Sequence, residues 1–156
     1  AGKVVILTDE TTDREWNDIS VIPPDWEAHI LPKAGIRDIA QVLDKLDASI
    51  KVQYMVTVVG WHNRTRAMED TRKVLNELDL AARKKNIVLY FIGVHNIRDL
   101  SDTTGIDQVN SLAGKKFRNK YIKPGMFGCP DGSPNLYDVE EMTRLHIEYM
   151  VENRSD

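Results

Sequence analysis

The feature that most constrains this chain is an alternation. Short, unbroken runs of apolar and β-branched residues at 3–7 (KVVIL), 54–59 (YMVTVV) and 87–94 (IVLYFIGV) are interleaved with stretches whose apolar residues recur at helical spacing. A run without polar alternation is what a strand buried on both faces requires. After the Pro23-Pro24 break, Ala28-His29-Ile30-Leu31 offers a further strand, and Gly125 to Gly128 a short last one. Helices are predicted from Ile36, Ile39, Ala40, Leu43 and Leu46, and from Met68, Val74, Leu75 and Leu78 within 67–85. Ile106, Val109, Ala113, Phe117 and Tyr121 mark another, and Val139, Met142, Leu145, Tyr149 and Met150 a closing helix over 139–151. Strand–helix alternation closes through right-handed crossovers that cover a parallel sheet. The expected fold is therefore α/β and three-layered, a flavodoxin-like parallel sheet of about five strands with helices on both faces, in a single domain over 1–156.

Composition narrows the function classes. With 42% hydrophobic and 29% charged residues the chain has no signature of disorder, collagen or a disulfide scaffold. The net charge of −3 means that nucleic-acid binding needs basic residues gathered on one face. No apolar run approaches the roughly 20 residues of a membrane span, no signal-peptide core is present, and Cys129 has no cysteine to pair with. These features predict an intracellular protein, cytoplasmic or nuclear, without membrane contact, and nothing in the chain calls for a cofactor. Ala1-Gly2 directly before a strand, and a polar end, suit a domain excised from a longer protein.

In parallel α/β sheets, sites gather at the carboxyl ends of the strands. Here those ends are Thr8-Asp9-Glu10, Pro32 to Gly35, Gly60 to Asn63, and His95-Asn96. Asp9, Glu10, His62 and His95 form the sharpest enzyme hypothesis, a divalent-metal set for a phosphoesterase, although no tight ligand spacing such as His-x-x-x-His supports it. The plainer reading makes the carboxylates turn caps and the histidines loop anchors. His146 reads as a core histidine, and nothing near Cys129 promises a lowered thiol pKa.

The strand ends resemble those of the SGNH (GDSL) hydrolases in order and spacing. The family's Gly-Asp-Ser-x-Thr block is similar to Thr8-Asp9-Glu10-Thr11-Thr12, with Glu10 where the nucleophilic serine stands. Gly35 matches the glycine whose amide joins the oxyanion hole. Gly-x-Asn-Asp resembles Gly60-Trp61-His62-Asn63, with His62 at the oxyanion asparagine and Asn63 at the aspartate. The terminal Asp-x-x-His block resembles Asp131-Gly132-Ser133-Pro134-Asn135, which contains no histidine. An acyl-transfer site needs a hydroxyl nucleophile, an imidazole base and oxyanion donors, and two of the three are absent from these blocks. The resemblance then implies a catalytically inactive domain reused for binding, similar to the triad-less, RNA-binding SGNH-like domain of Oskar or to esterase-like domains of retrotransposon proteins.

RNA is the first candidate ligand. Lys115-Lys116-Phe117-Arg118-Asn119-Lys120-Tyr121-Ile122-Lys123 holds five basic residues and no acid, with two aromatics interleaved. Lysine and arginine on phosphates, with aromatic stacking on bases, is how single-stranded RNA is held. Arg83 and Lys84 extend the candidate surface, while Glu69, Asp70, Glu77 and Asp79 on the same helix dilute it. On a continuous helix Phe117 and Tyr121 would both face the core and the lysines would be a solvated face. An active hydrolase, metal-assisted or an atypical esterase, is the alternative, and a protein-interaction or oligomerisation scaffold the third reading. Trp16, Trp26 and Trp61 fall in loops or near strand ends, where indoles pack or anchor partners.

Overall fold

A computed structural model describes residues 4–12, 26–47 and 52–123. Five parallel strands form one sheet in the order β2-β1-β3-β4-β5. They are β1 (Val4–Thr8), β2 (Trp26–Ile30), β3 (Tyr54–Val58), β4 (Val88–Ile92) and β5 (Tyr121–Ile122). Three helices follow β2, β3 and β4: α1 (Ile36–Asp44), α2 (Met68–Lys84) and α3 (Thr104–Phe117). The α/β three-layer, flavodoxin-like fold is thus present. Among the described residues no helix is long and apolar enough to cross a membrane.

Every residue of β1 and β3 is buried, as their unbroken apolar runs require. Alternate side chains feed two clusters. Val5, Leu7, Met55, Leu89 and Phe91 join all three described helices, whereas Val4, Ile6, Tyr54, Val56, Tyr90 and Ile92 gather on the opposite face. β2 lies at the sheet edge and alternates between exposed and half-buried residues, Glu27 and His29 being exposed. On α1, Ile36, Ile39 and Leu43 are wholly buried. Each such side chain contributes about 1.5–3 kcal/mol from area removed from water.

Two expectations change. Met68 is 42% exposed, and the inward face of α2 begins one turn later at buried Thr71. Periodicity reports direction around an axis, not how far along it a neighbour extends. Tyr121 does not continue α3: the helix ends at Phe117, Arg118 takes φ 52, and Tyr121 pairs with Phe91 as the start of β5. The fifth described strand is Tyr121–Ile122. Gly125 to Gly128, the closing helix, Cys129, Asp131, His146 and Trp16 lie outside the described residues.

Candidate functional site

β1, β2 and β3 finish level, because Thr8 pairs with both Ile30 and Val58. The ladders run one step further, with Asp9 N–H donating to Val58 O at 3.0 Å and Leu31 N–H to Thr8 O at 2.7 Å. The chain then turns through a 3₁₀ segment, Glu10–Thr12. Asp9 Oδ1 accepts from the Thr11 amide at 3.0 Å and from the Thr11 hydroxyl. The Asp9 carboxyl is fully buried and Oδ2 has no hydrogen-bond partner among the described residues. Burial pushes its pKa up to about 6, against the pull of the Thr11 bonds.

Glu10 reaches outward to two other strand ends. Its Oε2 accepts the Lys33 amide at 2.9 Å and lies 3.1 Å from His62 Nε2, which also contacts Oε1. Burial pushes this carboxyl up, but the Lys33 amide and His62 outweigh it and hold Glu10 below the usual range. An ionised carboxylate only accepts, so Nε2 of His62 carries the proton. The turn presenting His62, Trp61–Asn63, depends on Gly60 at φ 125, where an added Cβ would lie 2.7 Å from Val94 Cγ2. Gly105 at the start of α3 packs so closely on this turn that its Cβ would meet Arg64 O at 2.1 Å.

The remaining groups at this end cap α1. Gly35 N–H donates to Asp38 Oδ2 at 2.7 Å, and Asn63 Oδ1 accepts from Ile36 N–H at 3.1 Å. Gly35 has no side chain to cap its own helix, and Asn63 does so from across the site. The three blocks that fall among the described residues come together, but the Gly35 amide is already engaged by a carboxylate.

The four residues of the metal hypothesis do not gather as one set. Among the described residues no three His, Cys, Asp or Glu side chains gather at ligand distance. Glu10 and His62 meet, while His95 stands apart as a buried imidazole, 4% exposed, with neither ring nitrogen bonded. Burial lowers its pKa to about 4. Its loop is fastened by the Asn110 side chain, which accepts from Val94 N–H at 2.8 Å and donates to Val94 O at 3.0 Å. Sequence reading missed Asn110 and the Lys33 and Asp38 contacts. An asparagine one strand–helix step from its partner leaves no local signal.

Most of the basic candidates assemble at the other end of the sheet. Arg83, Lys115, Lys116, Arg118 and Lys120 line a cleft of about 650 Å³ between the C-terminal ends of α2 and α3, floored by Ile87 and Leu89 at the start of β4. Lys84 and Lys123 are exposed but do not line it. The interleaved aromatics turn inward. Phe117 stacks on Phe91 with centroids 5.2 Å apart, and Tyr121 leans on the same ring at 6.4 Å. Trp61 is buried beneath Arg64, whose guanidinium carbon lies 3.8 Å from the ring centroid.

No protein-family model matches the sequence, and no curated protein matches it. Solved structures do match in fold. A GDSL-like lipase from Bacteroides thetaiotaomicron superposes with a TM-score of 0.66 at 10% identity, covering 98% of this chain and 89% of its own. A carbohydrate esterase family 3 protein from Talaromyces cellulolyticus gives 0.64 at 15% identity, covering 99% and 100%. A psychrotrophic esterase from Pseudoalteromonas gives 0.63 at 12% identity, covering 98% and 100%. The chain therefore carries a three-layer hydrolase-type α/β fold. More narrowly, it is the SGNH/GDSL hydrolase-like fold expected from the order of its blocks.

Proposed function

We propose that this domain is an SGNH-like fold without acyl-transfer activity that works as a binding module for single-stranded RNA, inside the cell. The observation that carries the first half is the Glu10 environment. A carboxylate stands at the family's nucleophile position, its oxygens taken by His62 and the Lys33 amide, and the Gly35 amide is taken by Asp38. Acyl transfer builds negative charge where donors must be free to meet it. Here anionic oxygens already occupy the donors. The second half is supported by the cation cleft, where five basic side chains face one acid, Asp79. Cleft cations bind phosphates, which makes affinity depend on salt.

An active hydrolase is favoured by one observation. Glu10 and His62 form a hydrogen-bonded pair with about a third of each side chain open to solvent (33% and 32%), an arrangement able to move a proton. One experiment separates the readings: a titration of labelled single-stranded RNA at two salt concentrations, with p-nitrophenyl acetate turnover on the same sample. Salt-sensitive binding without turnover is expected. Turnover that vanishes in Glu10→Ala overturns the first half, and absence of binding at low salt overturns the second.

A further inference from the structure

Asp79 is the one carboxylate among the described residues that line the cleft, and its place is central. Its Oδ2 lies 3.1 Å from Arg83 Nε, one helical turn on, and 3.8 Å from Lys116 Nζ on α3. A single oxygen therefore bridges the two helices that form the walls. The Asp79 side chain is only 21% exposed and that of Lys116 33%, whereas Arg83 is 76% exposed. The acid is the least exposed of the three and the guanidinium the most. An oxygen anion held between an arginine and a lysine is what a bound phosphate would provide.

The aromatics of the basic segment, of which Phe117 lines the cleft and Tyr121 does not, turn inward. Phe117 is 6% exposed and stacked on Phe91, and Tyr121 is half-buried against the same ring. Ile87 and Leu89 on the floor are buried. What the cleft offers a nucleic acid is charge and N–H donors without a stacking platform.

We infer that Asp79 is a built-in competitor for the cleft, holding Arg83 and Lys116 as a phosphate would, and that RNA binds by its sugar–phosphate backbone after displacing this carboxylate. This rests on the RNA reading above. Binding is then weaker than the cleft's five cations would allow and indifferent to base sequence.

The test uses the whole chain, with labelled oligouridylate and oligoadenylate of equal length titrated at low and moderate salt. Asp79→Asn, nearly isosteric, is expected to bind both three- to tenfold more tightly than the unchanged protein, since one opposing charge leaves the contact surface. Asp70→Asn, an equal charge change in the first turn of the same helix, is expected to leave affinity within twofold. In an Arg83→Gln/Lys116→Gln background the gain from Asp79→Asn is expected to disappear. A gain that Asp70→Asn reproduces, or that survives in that background, overturns the competitor role. So does an Asp79→Asn protein that binds no more tightly, with the RNA reading intact because the unchanged protein binds. A tenfold preference for one homopolymer overturns backbone recognition. No binding by either protein at low salt overturns the RNA reading itself.

Discussion

The two ends of the sheet differ in sign and in how completely they are satisfied. Where the strands finish, helix N-termini present unbonded N–H groups, and carboxylates collect there: Asp38 on α1, Glu69 and Asp70 on α2, Asp107 on α3. Where the strands begin, helix C-termini present carbonyls, and Arg83, Lys84, Lys115 and Lys116 collect in the last turns of α2 and α3. Helix dipoles sort the charges in this way in any parallel α/β fold. The difference here lies in what remains over. At the strand ends the Glu10, Asp38 and Asn63 oxygens are absorbed by the protein's own donors. In the cleft, cations outnumber the single acid. The strand-end carboxylate Glu10 and the α1 cap are matched by the protein's own donors, whereas the cations of the opposite end exceed the acid beside them.

The largest effect should come from breaking the end where the strands finish. Gly60→Val places a β-branched side chain at φ 125 against Val94 and Val109. A loss of more than about 3 kcal/mol in urea unfolding is expected from strain and overpacking together. Stability within about 1 kcal/mol of the unchanged protein would show that the turn presenting His62 is not held as described.

Reversing the charge of the opposite end comes next. Lys116→Glu, Arg118→Glu and Lys120→Glu together should weaken RNA binding by about a hundredfold at low salt, with the melting temperature little changed. Binding that survives would place the RNA surface elsewhere and dissolve the contrast between the ends.

The two buried titrating groups, both at the end where the strands finish, oppose each other with pH. His95 is lowered from 6.5 to about 4, so the unfolded chain binds more protons across that window, and stability falls as the pH is lowered through it. Asp9 is raised from 3.8 to about 6, so the folded chain binds more protons there, and stability falls as the pH rises. Between pH 4 and 6 the slopes should largely cancel. Asp9→Asn should uncover a rise in stability with pH, and His95→Leu a fall, each on the order of 2 kcal/mol across the window. Unfolding curves at half-unit pH steps would measure both, and parallel profiles for the two variants would refute the assignment.

The smallest expected effect is none. Glu10→Ser restores the family's hydroxyl, yet the Gly35 amide stays bonded to Asp38. Turnover of p-nitrophenyl acetate should remain at background. Measurable turnover would show that the site lacks only its nucleophile.

Much of this architecture is legible in the chain. β1, β3 and β4 follow from unbroken runs of apolar and β-branched residues, because a strand buried on both faces leaves no position for a long polar or charged side chain. The inward residues of α1 follow from spacing alone. β5 is not legible, because two residues become a strand only through pairing with Phe91 and Ile92, and Tyr121 fits the helical period equally well. The strand-end residues could be named as candidates, with turn caps and loop anchors as the plainer reading and a metal set as the alternative. Glu10 and His62 instead meet as a pair without His95. Spacing along a chain orders the loops but does not set the angles at which side chains leave them.

The amino-acid sequence by itself determined the fold class, the inward faces of most elements, and the presence of glutamate where the SGNH pattern has serine. These follow from local period and residue identity, which burial reads directly. Only the tertiary structure decided that Asn63 caps α1 from across the site, that Tyr121 pairs with Phe91 in β5, and that Asp79 reaches Lys116 on a neighbouring helix. Each of these depends on hydrogen bonds, ring contacts or ion pairs made when separate elements pack, and none is encoded within one turn of chain.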